Sequence, residues 1–407
     1  MRAGSPVFAI LLAALNGLIP LSIDASLPAL PAMARALSAS SVWMQATVGG
    51  FLFAYAFGQL VLGPLADRFG RRVVLLCGLG LYVVAGLVCS AAPNAAVLIV
   101  ARIAQGLGAS AGPLTTRAMI RDLFEDRQRA AAMQAYVASM QSIAPVVAPL
   151  VGAGLMVLWG WRGIYAGLTA AGAVLTAVVW TALAETRKTT STQPSERSLP
   201  AAAFAAYGRY LRLPRSVFTA IIVAATFGGQ FAFISNSPFV LIDEFGVPRG
   251  LYAVAFAVAS AGFIVGSVAA ARFARAGVRI ERILTLGTAA LAVTAVAGLL
   301  VDLAAHPSAL GFVVFMAAYS AAAGMITPAA YAAGMEFAGA MAGVASAVLG
   351  AAQTFGGSIG STLVGLAGGH ASFAVAINAL SAAVIVVIAE RFAQARRPKA
   401  SLLNRAA

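Results

Sequence analysis

Long apolar runs separated by short polar segments make up most of this chain. Twelve runs stand out, at residues 7–28, 42–62, 73–91, 95–116, 131–157, 163–184, 216–242, 250–271, 282–303, 309–331, 341–367 and 371–392. Crossing a bilayer as a helix takes roughly 20 apolar residues. Barrel strands would instead alternate polar and apolar positions over about ten residues, and these runs do not alternate. The pattern predicts an all-α integral membrane protein with twelve transmembrane helices. Gly and Pro recur inside the runs, as membrane helices tolerate. The first run follows Arg2, as a leader peptide would. It is too long for one, it carries Asn16 and Asp24, and eleven more runs follow, so it is expected to remain as a span.

The polar segment 185–215 divides the runs six and six. Residues 185–198 contain Pro and have no apolar period, which predicts a solvated linker. Residues 201–213 then place Phe204, Tyr207, Tyr210 and Leu211 at three- to four-residue spacing, with Arg209 and Arg212 between them. That spacing predicts an amphipathic helix lying on the membrane surface. The expected organisation is a bundle at 1–184, a linker at 185–215, a second bundle at 216–392 and a tail at 393–407.

Composition sharpens this picture. The chain is 61% hydrophobic and 10% charged, against about 25% charged in a soluble domain. The net charge of +14 could signal nucleic acid, but its placement argues otherwise. With twelve spans and the N-terminus inside, 23 of the 27 Lys and Arg residues fall on one side. Arg35, Arg162 and Arg249 fall on the other, and Arg102 lies within span 4. Such a split is the positive-inside rule. It places both termini in the cytoplasm and makes anionic lipid, not nucleic acid, the basic surface's partner. Cys77 and Cys89 both lie in span 3 and read as soft apolar side chains. His306 and His370 are far apart, so no metal site is expected. Only Lys188 and Lys399 are present, and neither completes a nucleotide-binding loop.

The most informative polar segment is Gly63-Pro64-Leu65-Ala66-Asp67-Arg68-Phe69-Gly70-Arg71-Arg72. A short charged turn bounded by glycines joins two runs that contain no Asp, Glu, Lys or Arg. It resembles the G-x-L-A-D-R-x-G-R-R loop of the major facilitator superfamily, which joins transmembrane helices 2 and 3 on the cytoplasmic side. A weaker echo, Arg272-Phe273-Ala274-Arg275-Ala276-Gly277, occupies the equivalent place in the second half. The resemblance implies two pseudo-symmetric six-helix bundles moving about a midplane cavity. It also implies a cytoplasmic gate of Gly63, Asp67, Arg68, Gly70, Arg71 and Arg121, in which Asp67 pairs with arginines or caps a neighbouring helix.

Ionisable groups at membrane depth are costly and are functional candidates by default. Asp24 lies four residues before Pro28, and Arg102 about eight residues into span 4. At 1.5 Å per residue they lie about 6 and about 10–12 Å from the same face. The depths are close enough for pairing if spans 1 and 4 are neighbours, and the superfamily fold sets spans 1, 4, 7 and 10 around the cavity. A buried carboxylate is drawn towards its protonated form and an adjacent arginine draws it back. Asp24 and Arg102 are therefore the proton-coupling candidates.

Other segments narrow the resemblance. Arg102-Ile103-Ala104-Gln105-Gly106-Leu107-Gly108-Ala109 is similar to the helix 4 motif R-x-x-Q-G-x-G-A. Pro145, Pro149 and Gly152 in span 5 are similar to the helix 5 antiporter motif, with Ala148 in place of its first glycine; they are the hinge candidates. Span 1 (Asp24 to Pro31), Ile234-Ser235-Asn236-Ser237-Pro238-Phe239 and Ala342-Gly343-Val344-Ala345-Ser346-Ala347 resemble the Bcr/CflA drug:proton antiporters. Ser26 stands where that group usually has tyrosine, a difference expected to bear on substrate range. Asn16, Asp24, Arg102, Gln230, Asn236 and Tyr331 are the cavity candidates.

The sequence therefore predicts a multi-pass protein of the bacterial inner membrane that exports small lipophilic drugs in exchange for protons. A dedicated amino acid or sugar exporter, or a proton symporter, of the same fold is the alternative. No enzymatic activity, cofactor, metal or obligate protein partner is expected. No cluster of His, Cys and carboxylates supplies chemistry, and no soluble output domain supports a sensor.

Overall fold

The computed structural model describes residues 5–124, 126–141, 143–186, 199–304, 308–338, 341–366 and 371–395. Residues 187–198 of the expected linker, 396–407 of the expected tail, His306 and His370 lie outside these. The described chain is helical throughout. Span 1 is α1 (Pro6–Asp24), a single 3-10 turn (Leu27–Ala29) and α2 (Leu30–Ala36). Span 2 is α3 (Ser41–Phe69), span 3 is α4 (Arg71–Ala91), and span 4 is α5 (Ala95–Ala109) with α6 (Ala111–Leu123). Then come α7 (Arg127–Gln141) and α8 (Ala144–Ala182). After α9 (Leu199–Leu211), span 7 is α10 (Pro214–Pro238) extended by a wide turn to Glu244. Spans 8 to 12 are α11 (Arg249–Arg275), α12 (Ile280–Ala304), α13 (Ala309–Ala338), α14 (Ala342–Leu366) and α15 (Ala371–Ala395).

Two departures from simple hydropathy are instructive. The 39-residue α8 is too long for one crossing and carries a non-helical glycine, Gly160 at φ 66°. Glycine reaches positive φ without a Cβ penalty. α7 with the first part of α8 therefore forms span 5, and the remainder forms span 6. Span 11 is long enough to cross, yet among the described residues it is absent from the ten most apolar segments. Its Gln353, Thr354, Ser358 and Ser361 dilute the hydropathy, and Ser358 and Ser361 bond to span 2. A helix that turns its polar side to protein does not need to be apolar all round.

Proline in a helix removes the N–H that would bond four residues back. Three such carbonyls are reclaimed. Ser237 donates to Ile234, freed by Pro238. Ser267 donates to Gly324, freed by Pro328. Tyr207 of α9 donates to Leu60, freed by Pro64, at 3.4 Å. That last bond corrects the picture of α9. Phe204 and Leu211 stay exposed, but Tyr210 is fully buried beside Ala338, Ala345 and Val348. The helix thus packs under the bundles as well as facing outwards. Burial pushes the Tyr210 phenol up to about 12, and burial with the Asp67 carboxylate pushes Tyr207 up.

Candidate functional site

The face carrying residues 63–72 and α9 is here the linker face, and the opposite one the distal face. At the distal face the two halves are joined. Gln45 of span 2 donates to Asn236 of span 7 at 2.6 Å, and Asn236 donates to the Ala371 carbonyl at 2.9 Å. Ser361 and Ser358 of span 11 donate to the carbonyls of Gln45 and Gly49. Arg35 pairs with Asp243 at 3.1 Å. One hydrophobic core runs through both halves here, from Leu27, Leu30 and Met44 to Val240, Leu241 and Phe256.

Span 1 shows what this closure leaves open. Val7, Ile10, Ala14, Gly17, Leu21 and Asp24 recur at three- to four-residue spacing along one stripe. Exposure along it falls from 60% at Val7 and 51% at Ile10 to 6% at Asp24. A side chain built on Gly17 would meet open space. The stripe ends where Leu27–Ala29 touches spans 7 and 8. The stripe is thus exposed towards the linker face and closed off at Asp24.

Asp24 has no hydrogen bond or ion pair among the described residues. Arg102 is fully buried elsewhere. Its Nη1 donates to Gln105 at 2.8 Å, and its guanidinium lies over the rings of Phe51 (4.4 Å) and Tyr165 (5.6 Å). Its Nε and Nη2 have no hydrogen-bond partner. The expected Asp24–Arg102 pair is not formed in this conformation: Arg102 points into the aromatic interior of the first half. Ser22 ties span 1 to Tyr82 at 2.6 Å. Ser26 bonds to the Ile23 carbonyl and faces the Tyr165 phenol. An aromatic from span 6 thus stands beside the position where the resemblance places a tyrosine in span 1.

The other cavity candidates separate. Asn16 donates to Leu12 of its own helix, one turn from the Pro20 break. Gln230 bonds to Ser320 in span 10 and leaves its Oε1 buried without a partner. Tyr331 donates to Gln353 at 2.6 Å, and Arg117 and Tyr55 of the first half lie close enough to act on it electrostatically. Asn236 does not present a free amide, because both ends of its side chain are used in the distal closure. Gln45 escaped the sequence reading. The signal for Gln45 was present: Gln45, Gly49, Leu52 and Gln59 form one stripe of span 2, and the first three meet span 11 at Ser361, Ser358 and Gly357.

The loop at 63–72 forms a network within the first half. Arg71 pairs with Asp67 and with Asp122, and Arg121 lies 3.7 Å from Asp122. Asp122 is the hub that joins the expected partners. Helix capping falls to Glu185 instead of Asp67, since Glu185 accepts the backbone N–H groups of Arg71 and Arg72 at 3.0 and 3.1 Å. A carboxylate there satisfies unpaired donors at the positive end of α4. Gly70, at φ 101°, makes the turn, whereas Gly63 has only ordinary contacts. Arg68 lies over the Phe69 ring. In span 5, α7 ends at Gln141, Pro145 lies at the start of α8, Pro149 is buried within it, and Gly152 meets the Ala25 carbonyl.

The family model for the Major Facilitator Superfamily matches residues 12–361. The chain belongs to the Major Facilitator Superfamily. It is 33% identical over 363 residues to the uncharacterized MFS-type transporter YdgK of Bacillus subtilis strain 168, covering 88% of each chain. It is 28% identical over 364 residues to a bicyclomycin resistance protein homolog of Haemophilus influenzae, again covering 88% of each. A bacterial homolog of the human lysosomal transporter Spinster shares the fold, with TM-score 0.75, 15% identity and 97% of each chain covered. This facilitator is thus a transporter and not an enzyme, a multi-pass protein of the bacterial inner membrane. The bicyclomycin-resistance relative agrees with the Bcr/CflA resemblance of spans 1, 7 and 11.

The distal closure of this facilitator can be tested directly. Asn236→Leu removes the bond to Gln45 and leaves that amide buried. In a background lacking Cys77 and Cys89, a cysteine at the buried Leu241 is expected to react about five- to tenfold faster with an impermeant thiol reagent, the shift that about 1–1.4 kcal/mol brings. An unchanged rate contradicts a fastening role.

Proposed function

We propose that this facilitator exports small lipophilic drugs across the inner membrane in exchange for protons, by alternating access. The observation that carries the reading is Asp24, a buried carboxyl group without a hydrogen-bond partner among the described residues, at the closed end of the exposed stripe of span 1; the reading takes that stripe to line a cleft between the two halves. Intramembrane carboxylates in such places are proton sites by default. The charge distribution supports a cytoplasmic linker face with both termini inside, and on that reading the cleft faces inward. A drug entering it from the cytoplasm competes with the Asp24 proton. Closure of the linker face, with the 63–72 network as latch, and loss of the distal contacts then present Asp24 and drug to the outside. There the drug leaves and Asp24 is reprotonated. Asn16, Gln230 and Tyr331 offer polar contacts in an otherwise apolar cavity, which suits lipophilic compounds with few polar groups. Arg102 acts on Asp24 in another conformation, where its unpartnered N–H groups are the available donors. Pro145, Pro149 and Gly152 form the hinge that lets span 5 move.

The test is a susceptibility panel, including bicyclomycin and chloramphenicol, in a pump-deficient strain expressing this chain. Raised resistance that a proton uncoupler removes is the expected result. A flat panel contradicts drug export, and resistance indifferent to the uncoupler contradicts proton drive.

A further inference from the structure

We infer that Gln59 of span 2, Tyr331 of span 10 and Gln353 of span 11 form a substrate subsite around Gly350, one that takes the uncharged hydrogen-bonding end of a lipophilic drug. The inference rests on the proposed export of drugs and names the part of the drug that this site reads.

Span 2 carries two glutamines on the stripe that meets span 11, and they are used differently. Gln45, at the distal face, donates to Asn236 and belongs to the closure. Gln59 lies 14 residues further on, about 21 Å nearer the linker face. It is only 7% exposed, yet its amide has no hydrogen bond among the described residues. Its Oε1 lies 3.1 Å from the point that a Cβ on Gly350 would occupy, and the Tyr331 hydroxyl lies 3.6 Å from the same point. The missing side chain of Gly350 thus leaves a notch on which groups from both halves converge. Tyr331 donates to Gln353 Oε1 at 2.6 Å. The amide N–H groups of Gln353 are left without a partner among the described residues.

A buried amide that makes no hydrogen bond has given up water without compensation. The distal closure supplies a partner to Gln45 and none to Gln59, and a bound molecule reaching the notch supplies one. The notch offers N–H donors from Gln59 and Gln353 and acceptor oxygens from Gln59 and Tyr331. That uncharged, mixed set matches a hydroxyl, carbonyl or amide group. None of the three residues is a carboxylate that would hold a cation. The charge close by is positive instead. Arg117 of span 4 is exposed and lies seven residues after Ser110, which packs on Gly58 of span 2. It also acts electrostatically on Tyr55 and Tyr331. An arginine there repels a cationic drug. Two turns deeper in span 11, Gly357 is covered by the Phe231 ring and Leu52. It lies about 10 Å from Gly350 along the helix. The polar end of the drug therefore sits at Gly350 and its apolar body against Phe231 and Leu52.

The test is equilibrium binding of radiolabelled chloramphenicol to the purified full chain in lipid. This member of the panel is uncharged and carries hydroxyl and amide groups. Gln59→Leu keeps the bulk of the side chain and removes its amide. Gly350→Ala fills the notch and gives a second readout if Gln59→Leu folds poorly. Each is expected to raise the chloramphenicol Kd about five- to tenfold, as loss of one buried hydrogen bond implies. The control is tetraphenylphosphonium, a lipophilic cation without hydrogen-bonding groups, whose binding is expected to be weaker in the wild type and unchanged in the variants. An unchanged chloramphenicol Kd in a folded variant overturns the subsite and leaves the export reading standing. Equal loss of both probes, or a melting temperature that falls with the affinity, marks a structural role and overturns it as well. Tighter wild-type binding of tetraphenylphosphonium than of chloramphenicol overturns the substrate class. A wild-type chain that binds neither overturns the subsite, and the resistance panel then decides the export reading by itself.

Discussion

Replacing Asp24 by asparagine is expected to abolish uphill export and leave the protein folded. The side chain is buried, and it has no bonded partner to lose. The amide is nearly isosteric and carries no charge at any pH. Asparagine also spares the fold the cost of an unpaired buried carboxylate, so the melting temperature of the purified variant is expected to be equal or higher. What disappears is the proton's contribution to the cycle. One proton moved through roughly 100 mV carries about 2.3 kcal/mol, which sustains about a fifty-fold substrate gradient. The variant is expected to fall to a ratio of one, and resistance to the level of cells without the gene, at equal membrane abundance. Retained uphill transport rejects Asp24 as the coupling site.

The second large effect is expected from a single methyl group in span 5. Gly152 meets the backbone of Ala25, the residue after Asp24, so closely that a Cβ would overlap the Ala25 carbonyl oxygen. Backbone cannot rotate away as a side chain can. Gly152→Ala must therefore push spans 1 and 5 apart, at about the 1–3 kcal/mol of core overpacking, and the displacement falls on the turn that carries Asp24. Export is expected to fall at least about tenfold, the effect of spending some 1.4 kcal/mol of that strain on the working geometry. Gly154, two residues along the same helix, is the control, because a Cβ there meets nothing within 4 Å. Gly154→Ala is expected to transport normally and to gain about 0.5–1 kcal/mol from helix propensity and reduced chain entropy. Equal behaviour of the two variants in paired drug-susceptibility and thermal-melt measurements contradicts the close crossing.

The contrast between these two sites shows what could be read from residues alone. The succession of membrane-length helices was legible because lipid imposes length and composition on each helix. Azimuth was not. Arg102 turns towards Phe51 and Tyr165 and forms no pair with Asp24. That choice depends on how helices distant in sequence pack. Asn236 shows the same limit: its membrane depth marks it as polar and costly, but only the position of Gln45 reveals it as a fastener. Glu185 read as the start of a linker, because nothing local ties it to the N–H groups of Arg71 and Arg72. Within the 63–72 loop the Asp67–Arg71 pair was legible, since the two residues face each other across the short Gly70 turn. Its hub, Asp122, is contributed by span 4.

Proton movement itself tests the account most directly. In everted membrane vesicles acidified by respiration, a compound from the panel to which the chain confers resistance should dissipate the pH gradient on addition, read as recovery of a quenched acridine dye. Recovery with the wild-type chain and none with Asp24→Asn is the predicted result. Export of that compound without proton efflux, or equal efflux with Asp24→Asn, would contradict it.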